Sequence, residues 1–283
     1  MSIHTACEEY IRDHDLAAKA ELGLIRSCRL FVEFTGSDPN LSEITESRLS
    51  MWVRWMQRSP RENGRPFAAR TVVGHRANVL TVLRYACVRG QIRELSTRQV
   101  RRPKTIAPRP SAWSPEQFRR VLAAAASLPG NLTNGVPRAL YFESMARVVY
   151  DSGIRRSDCF TMPRPNDRGV VDMTQSKTGT RLVFVLRQHT AALVRQLPGE
   201  YPLQWPQSRG KNYYHWWHRI TDTAGVPRGA GHQIRRTGAT MIYQENRNTV
   251  DCQQYLGHQT ADMWRHYVDR SSDAAARPQP KPV

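Results

Sequence analysis

Six side chains in the second half of this 283-residue chain are of the types that metal-free phosphoryl transfer requires: Arg155, Lys177, His232, Arg235, His258 and Tyr267. That reaction needs positive hydrogen-bond donors around two non-bridging oxygens, a nucleophile in line with the leaving oxygen, and a proton donor for that oxygen. Guanidinium is permanently charged and forks onto two oxygens at once, which suits Arg155 and Arg235 to the first task. The spacing His232-x-x-Arg235 is close to one helical turn, so both side chains leave one helix face and can reach a common anion. Arg155 follows Ser152-Gly153, a helix stop that would hold its side chain at the mouth of a site. Leu256-Gly257-His258 reads as a glycine stop that turns a histidine back toward the core, and Tyr267 lies nine residues further on. Each piece taken alone has an ordinary reading: a solvated surface for the His/Arg pair, a capped helix end for Leu-Gly-His, packing for a tyrosine near Trp264.

Taken together, in this order and at these separations, the pieces resemble the catalytic domain of the tyrosine recombinases, the family of the Xer proteins, Cre and the phage integrases. The matching segments are GIR ending at Arg155, HQIRRT from His232, LGH ending at His258 and RHY ending at Tyr267, within roughly residues 113 to 270. Over 1–95 the resemblance is weaker and rests on helical patterns such as ARTVVGHRANVLTVLRYACVRG. The resemblance implies that Arg155 and Arg235 clamp the scissile phosphate and that Lys177 protonates the departing 5′ oxygen. His232 would be the acid/base partner of the tyrosine, His258 would donate a hydrogen bond to the phosphate, and Tyr267 would attack to leave a 3′-phosphotyrosyl bond. That bond conserves the phosphodiester energy, so no cofactor and no metal is expected. The implied partner is double-stranded DNA carrying specific recombination sites, held by a homo-tetramer, and the implied outcome is integration, excision or resolution of DNA. Two positions and the length of the tail depart from the family pattern. Arg236 stands where histidine is commoner, and Asp158 stands where the family commonly has Glu. Only sixteen residues follow Tyr267, with three prolines among them, so exchange of a C-terminal helix between subunits is expected to be short or absent. Lys211 is the other lysine of the domain and the rival to Lys177.

These side chains must be positioned by surrounding elements, and the period of the apolar residues indicates which. From Ile3 to about Arg89 they recur at three-to-four spacing, as in Leu49, Trp52, Val53 and Met56, which predicts four helices. Breaks fall at 36–40, where Asn40 or Ser42 can cap the next helix, and at 59–66. After Trp113, Ser114-Pro115-Glu116 is a helix start signal. Helices are predicted at 115–126, 138–152, 190–197, 209–223, 232–244, 248–255 and 260–269. Between them the period changes to that of strands, with Val170, Val171 and Met173, a polar turn around Lys177, and Leu182 to Leu186 forming a β-hairpin. The expected fold class is therefore mainly α with a small β-sheet. It comprises an all-helical core-binding domain over 1–95 and an α+β catalytic domain over 113–270. Residues 96–112 hold three prolines, five basic residues and no acid, and read as a connector. A solvated tether and an extended basic strand along a duplex fit it equally. The tail 271–283 has the composition of a disordered segment.

Charge agrees with a polyanionic partner: 42 Lys plus Arg against 24 Asp plus Glu give +18, with a sequence pI near 10.5. Nearly all of it is arginine, a choice that base composition explains as well as phosphate recognition does. Candidates for DNA contact are Arg70, His75, Arg76 and Arg84 on the 68–89 helix, with Arg101, Arg102 and Lys104 in the connector. A solvated helix face is the alternative for each. Trp216 and Trp217 can be a base-stacking platform or core. Five scattered cysteines without a C-x-x-C pair suggest neither disulfides nor zinc. The charged N-terminus and the lack of a long apolar run indicate a cytoplasmic, nucleoid-associated protein with no membrane partner. The chain starts almost directly with the helical domain, so an arm-binding module is expected to be missing. Two competing functions fit the charge: a DNA-binding regulator that kept the fold and lost catalysis, and a type IB topoisomerase. A metal-dependent nuclease would need a carboxylate cluster, which the sequence lacks.

Overall fold

The computed structural model describes residues 1–59, 65–106, 111–206, 212–257, 265, 267 and 268. Two compact units divide the chain, Met1–Ala107 and Pro108–Val283.

The first unit is helical. Helices α1 (Ile3–Arg12), α2 (Ala18–Thr35), α3 (Glu46–Arg58) and α4 (Ala69–Val88) account for the four predicted. Asn40 caps a single 3-10 turn at Leu41–Glu43, and Thr45 caps α3 by accepting from the Arg48 amide. The apolar stripes meet around Phe31, Trp52, Val53 and Val79, all sealed from solvent. The first part of the predicted connector is bound to this unit. Val100 is buried in its core, and the Ser96 and Arg101 amides donate to Glu46 and Ser50 on α3. Burial of Val100, worth about 1.5–3 kcal/mol, acts with these hydrogen bonds to dock the segment.

The second unit combines seven helices with a hairpin among the described residues: α5 (Pro115–Ala126), α6 (Arg138–Ser152), α7 (Arg156–Phe160), β1 (Val170–Thr174), β2 (Arg181–Val185), α8 (Gln188–Arg195), α9 (Tyr213–Thr223), α10 (Gly231–Asn246) and α11 (Thr249–Leu256). The protein is thus mainly α with one small antiparallel sheet. Ser114 and Gln117 form a reciprocal capping box at the start of α5, with Pro115 in its first turn. Helix α6 is central and packs against α5, α7, α8 and α10. Its partners bury Phe142, Met145, Val148 and Val149 in a core shared with Trp113 and Trp217. Trp217 is core, whereas Trp216 is half-buried with the Arg138 guanidinium 4.2 Å from its ring centroid. The strands pair in the register Val171 with Phe184 and Met173 with Leu182, which turns Val171 and Met173 inward.

No apolar period marks helix α7, because five residues are too few to show one. The helix predicted at 260–269 falls largely outside the described residues; Tyr267 itself lies in a turn. Among the described residues no helix is long and apolar enough to cross a membrane. No group of three or more His, Cys, Asp or Glu among them is placed to hold a metal ion.

Candidate active site

The site is built where the C-terminal ends of α6 and α11 meet the first turns of α10. Helix α6 ends at Gly153, whose φ of +64° places it in the left-handed region that glycine adopts without strain. The chain then turns through Ile154 so that Arg155 becomes the capping residue of α7, with an extended backbone and a mostly enclosed side chain. One turn further on, Asp158 is fully buried. Its Oδ2 lies 3.9 Å from Arg155 Nη1, and its Oδ1 accepts from the Ser176 amide at 3.0 Å. Asp158 therefore ties the arginine-bearing helix to the hairpin, and Lys177 follows Ser176 directly as an exposed residue of the turn. The Asp158–Ser176 link is one that sequence reasoning missed, since eighteen residues separate its ends.

Arg235 is 1% exposed, an extreme position for a guanidinium. It donates from Nη1 to the Gly153 carbonyl and from Nη2 to the Leu256 carbonyl at 2.5 Å. Both acceptors are carbonyls left free at helix ends, so one cation closes the C-termini of α6 and α11. Burial pushes the Arg235 pKa down while the Tyr267 phenol favours its charge and the Arg155 cation opposes it.

Tyr267 packs directly on this arrangement. The Arg235 Cζ lies 5.1 Å from its ring centroid, and the His232 ring meets it edge-on with centroids 5.1 Å apart. Below it, Val268 is buried with Ala239, Tyr243, Cys252 and Leu256 in a small separate cluster that anchors this part of the chain to α10 and α11. Arg155, His232, Arg235 and Tyr267, 112 residues apart at the extremes, are thus neighbours. His258 and Lys211 lie outside the described residues.

His232 keeps an exposed edge, yet partial burial and then the positive charges of Arg236, Arg235 and Arg155 push its pKa down to about 4. The folded protein holds it neutral where an unfolded chain, near 6.5, would begin to protonate. Its contribution to stability is present above pH 6.5 and lost as pH falls toward 4, because the unfolded state then binds the extra proton. We expect the His232 ring resonances of the free protein to titrate near pH 4. DNA should raise the midpoint, because phosphate offsets the arginines; a free-protein midpoint near 6.5 would contradict this electrostatic picture.

In the first unit the DNA-contact candidates divide. His75 is buried: its Nδ1 is 2.9 Å from the Ser27 hydroxyl and its ring meets Phe67 edge-on, so the expectation of a groove contact is corrected to a core role. Arg76 is half-buried and engaged by its own unit, donating to the carbonyls of Thr97, Val100 and Arg101 at 2.7–3.0 Å. Helical spacing places both next to exposed positions but does not say which side of the stripe edge they occupy. Arg70, Arg84, Arg101, Arg102 and Lys104 are exposed.

This helical architecture with its hairpin is the fold of several solved DNA integrases and recombinases. Among solved structures, the Tn1549 transposon integrase in complex with a circular intermediate DNA superposes with a TM-score of 0.74 at 13% identity, covering 98% of each chain. A lambda integrase (75–356) dimer bound to a COC′ core site gives 0.73 at 16%, covering 100% of this chain and 99% of that one. The XerH site-specific recombinase bound to palindromic difH substrate, a post-cleavage complex, gives 0.71 at 16%, covering 97% and 83%. No family model and no curated protein sequence matches the chain.

Proposed function

We propose that this protein is a site-specific DNA recombinase that cleaves and rejoins DNA through a 3′-phosphotyrosyl intermediate. The observation that carries this reading is the convergence of Tyr267, His232 and Arg235 within ring-contact distance, beside Arg155. An arginine pair with a tyrosine and a neutral imidazole provides for attack on a phosphodiester: anion stabilisation, a nucleophile and a proton acceptor. The DNA complexes of the similarly folded integrases and XerH support the substrate class.

In the proposed step the Tyr267 oxygen forms a bond to the scissile phosphorus as the bond from phosphorus to O5′ breaks. The phenol proton passes to His232, and O5′ leaves with a proton from Lys177, carried by the hairpin turn that Asp158 holds. Arg155 and Arg235, with His258, stabilise the additional charge on the non-bridging oxygens. Reversal with the 5′ hydroxyl of another strand completes recombination, in a homo-tetramer on two duplexes. Arg70, Arg84, Arg101, Arg102 and Lys104 supply phosphate contacts outside the site.

The test is covalent trapping. A pool of duplexes with nicks in random sequence is incubated with the protein, and the DNA that stays attached after denaturation is sequenced. A shared sequence at the attachment point is the expected result. No covalent complex across the pool would overturn the assignment, and relaxation of supercoiled DNA lacking that sequence would move it to a type IB topoisomerase. Binding to the recovered site should weaken steeply with salt, the logarithmic slope falling by about 0.9 for each phosphate contact. Arg84→Ala should lower that slope by roughly one contact, whereas a salt-independent affinity would contradict the charge argument.

A further inference from the structure

Tyr255 stands where the C-terminal ends of α6 and α11 meet α10. Its hydroxyl is shared between the carbonyls of Val149 and Tyr150, 3.1 and 2.9 Å away in the last turn of α6. Burial holds its pKa above the ordinary phenol value, so the hydroxyl keeps the proton it donates. The ring lies between two glycines. A Cβ on Gly153 would sit 2.8 Å from ring Cε1 and collide with the Tyr255 carbonyl, and a Cβ on Gly238 would sit 2.6 Å from Cζ and collide with the hydroxyl. Gly153 belongs to the turn that delivers Arg155 two residues later, and Gly238 follows Arg235 by one turn of α10. The two carbonyls that hold Arg235 belong to Gly153, which touches the ring, and to Leu256, the residue after Tyr255. Each acceptor, and the backbone leading to each arginine, is thus fixed by contact with one side chain.

We propose that Tyr255 is a positioning residue that sets the register between Arg155 and Arg235, and so the shape of the phosphate clamp. It does not touch the reacting atoms; it acts through the backbone at Gly153 and Leu256. The proposal rests on the recombinase reading above. A misplacement of about 1 Å in a group that stabilises the transition state costs on the order of 100-fold in rate. Removing only the hydroxyl should therefore slow cleavage while leaving DNA binding, which draws on the whole basic surface, nearly unchanged.

The experiment compares wild type and Tyr255→Phe on a nicked duplex carrying a site recovered by trapping. Cleavage to the covalent complex is measured on the natural phosphodiester and on the same duplex with a methylphosphonate at the scissile position. The methyl group removes the charge that the arginines must balance, so a defect in the clamp is expected to shrink there. We expect a fall of roughly 10- to 100-fold on the phosphodiester, site affinity within about twofold of wild type, and a mutant-to-wild-type rate ratio on the methylphosphonate near one. Gly238→Ala, which pushes on the ring with the hydroxyl in place, should show the same signature. An unchanged rate, an equal defect on both substrates, or loss of site binding by Tyr255→Phe would overturn the role. Absence of a covalent complex with wild-type protein would instead overturn the recombinase reading, and this inference with it.

Discussion

Tyr267→Phe is expected to abolish the covalent protein–DNA complex, lowering its formation by roughly 10⁴-fold or more, because it removes the atom that bonds to phosphorus. The ring contacts to Arg235 and His232 remain, and what is lost is the hydroxyl and its interaction with Arg235. Affinity for the trapped site and the thermal midpoint should both stay close to wild type. This pattern separates the catalytic reading from its rivals. A regulator on the same fold would give no covalent complex with the wild type, and a metal-dependent nuclease would cleave equally well without the hydroxyl. Loss of site binding in Tyr267→Phe would make the residue structural and leave the nucleophile unassigned.

Arg235→Ala should damage stability and cleavage together. Its guanidinium satisfies two carbonyls at the ends of α6 and α11, and each acceptor left unpaired inside the protein costs about 1–3 kcal/mol. Removing a buried charge offsets part of that, so the net loss should be about 2–4 kcal/mol, read as a drop of roughly 10 °C in the unfolding midpoint. Cleavage should fall by about 10³-fold or more, because the charge that develops on the phosphate loses its partner. Arg235→Lys should recover little of either, since an ammonium cannot fork between two carbonyls and still face a phosphate. A variant that unfolds normally and cleaves slowly would show that the two carbonyls are satisfied by water instead. One that cleaves normally would remove Arg235 from the clamp.

Much of this architecture was legible from residue order. The predicted helices at 115–126 and 138–152 coincide with α5 and α6, because Ser114-Pro115 starts one and Gly153 stops the other, and both signals act locally. The hairpin was legible from its change of period and its polar turn. His75 and Arg76 show where local signals stop. Charge and helical setting make both candidates for DNA contact or a solvated face, yet His75 is buried against Ser27 and the half-buried Arg76 is tied to the 97–101 backbone. Val100 likewise binds to the first unit a stretch whose composition suggested a tether.

By itself the sequence determined the helices, the hairpin and the residue types available for chemistry, since period, capping and turn residues are short-range properties read along the chain. The tertiary structure decided which of those residues meet. Arg155 and Tyr267 are both brought to Arg235 because Arg235 closes the ends of α6 and α11 and Tyr255 fills the space that two glycines leave. No local pattern encodes these contacts, because each joins residues tens of positions apart and depends on the volume left between three helices.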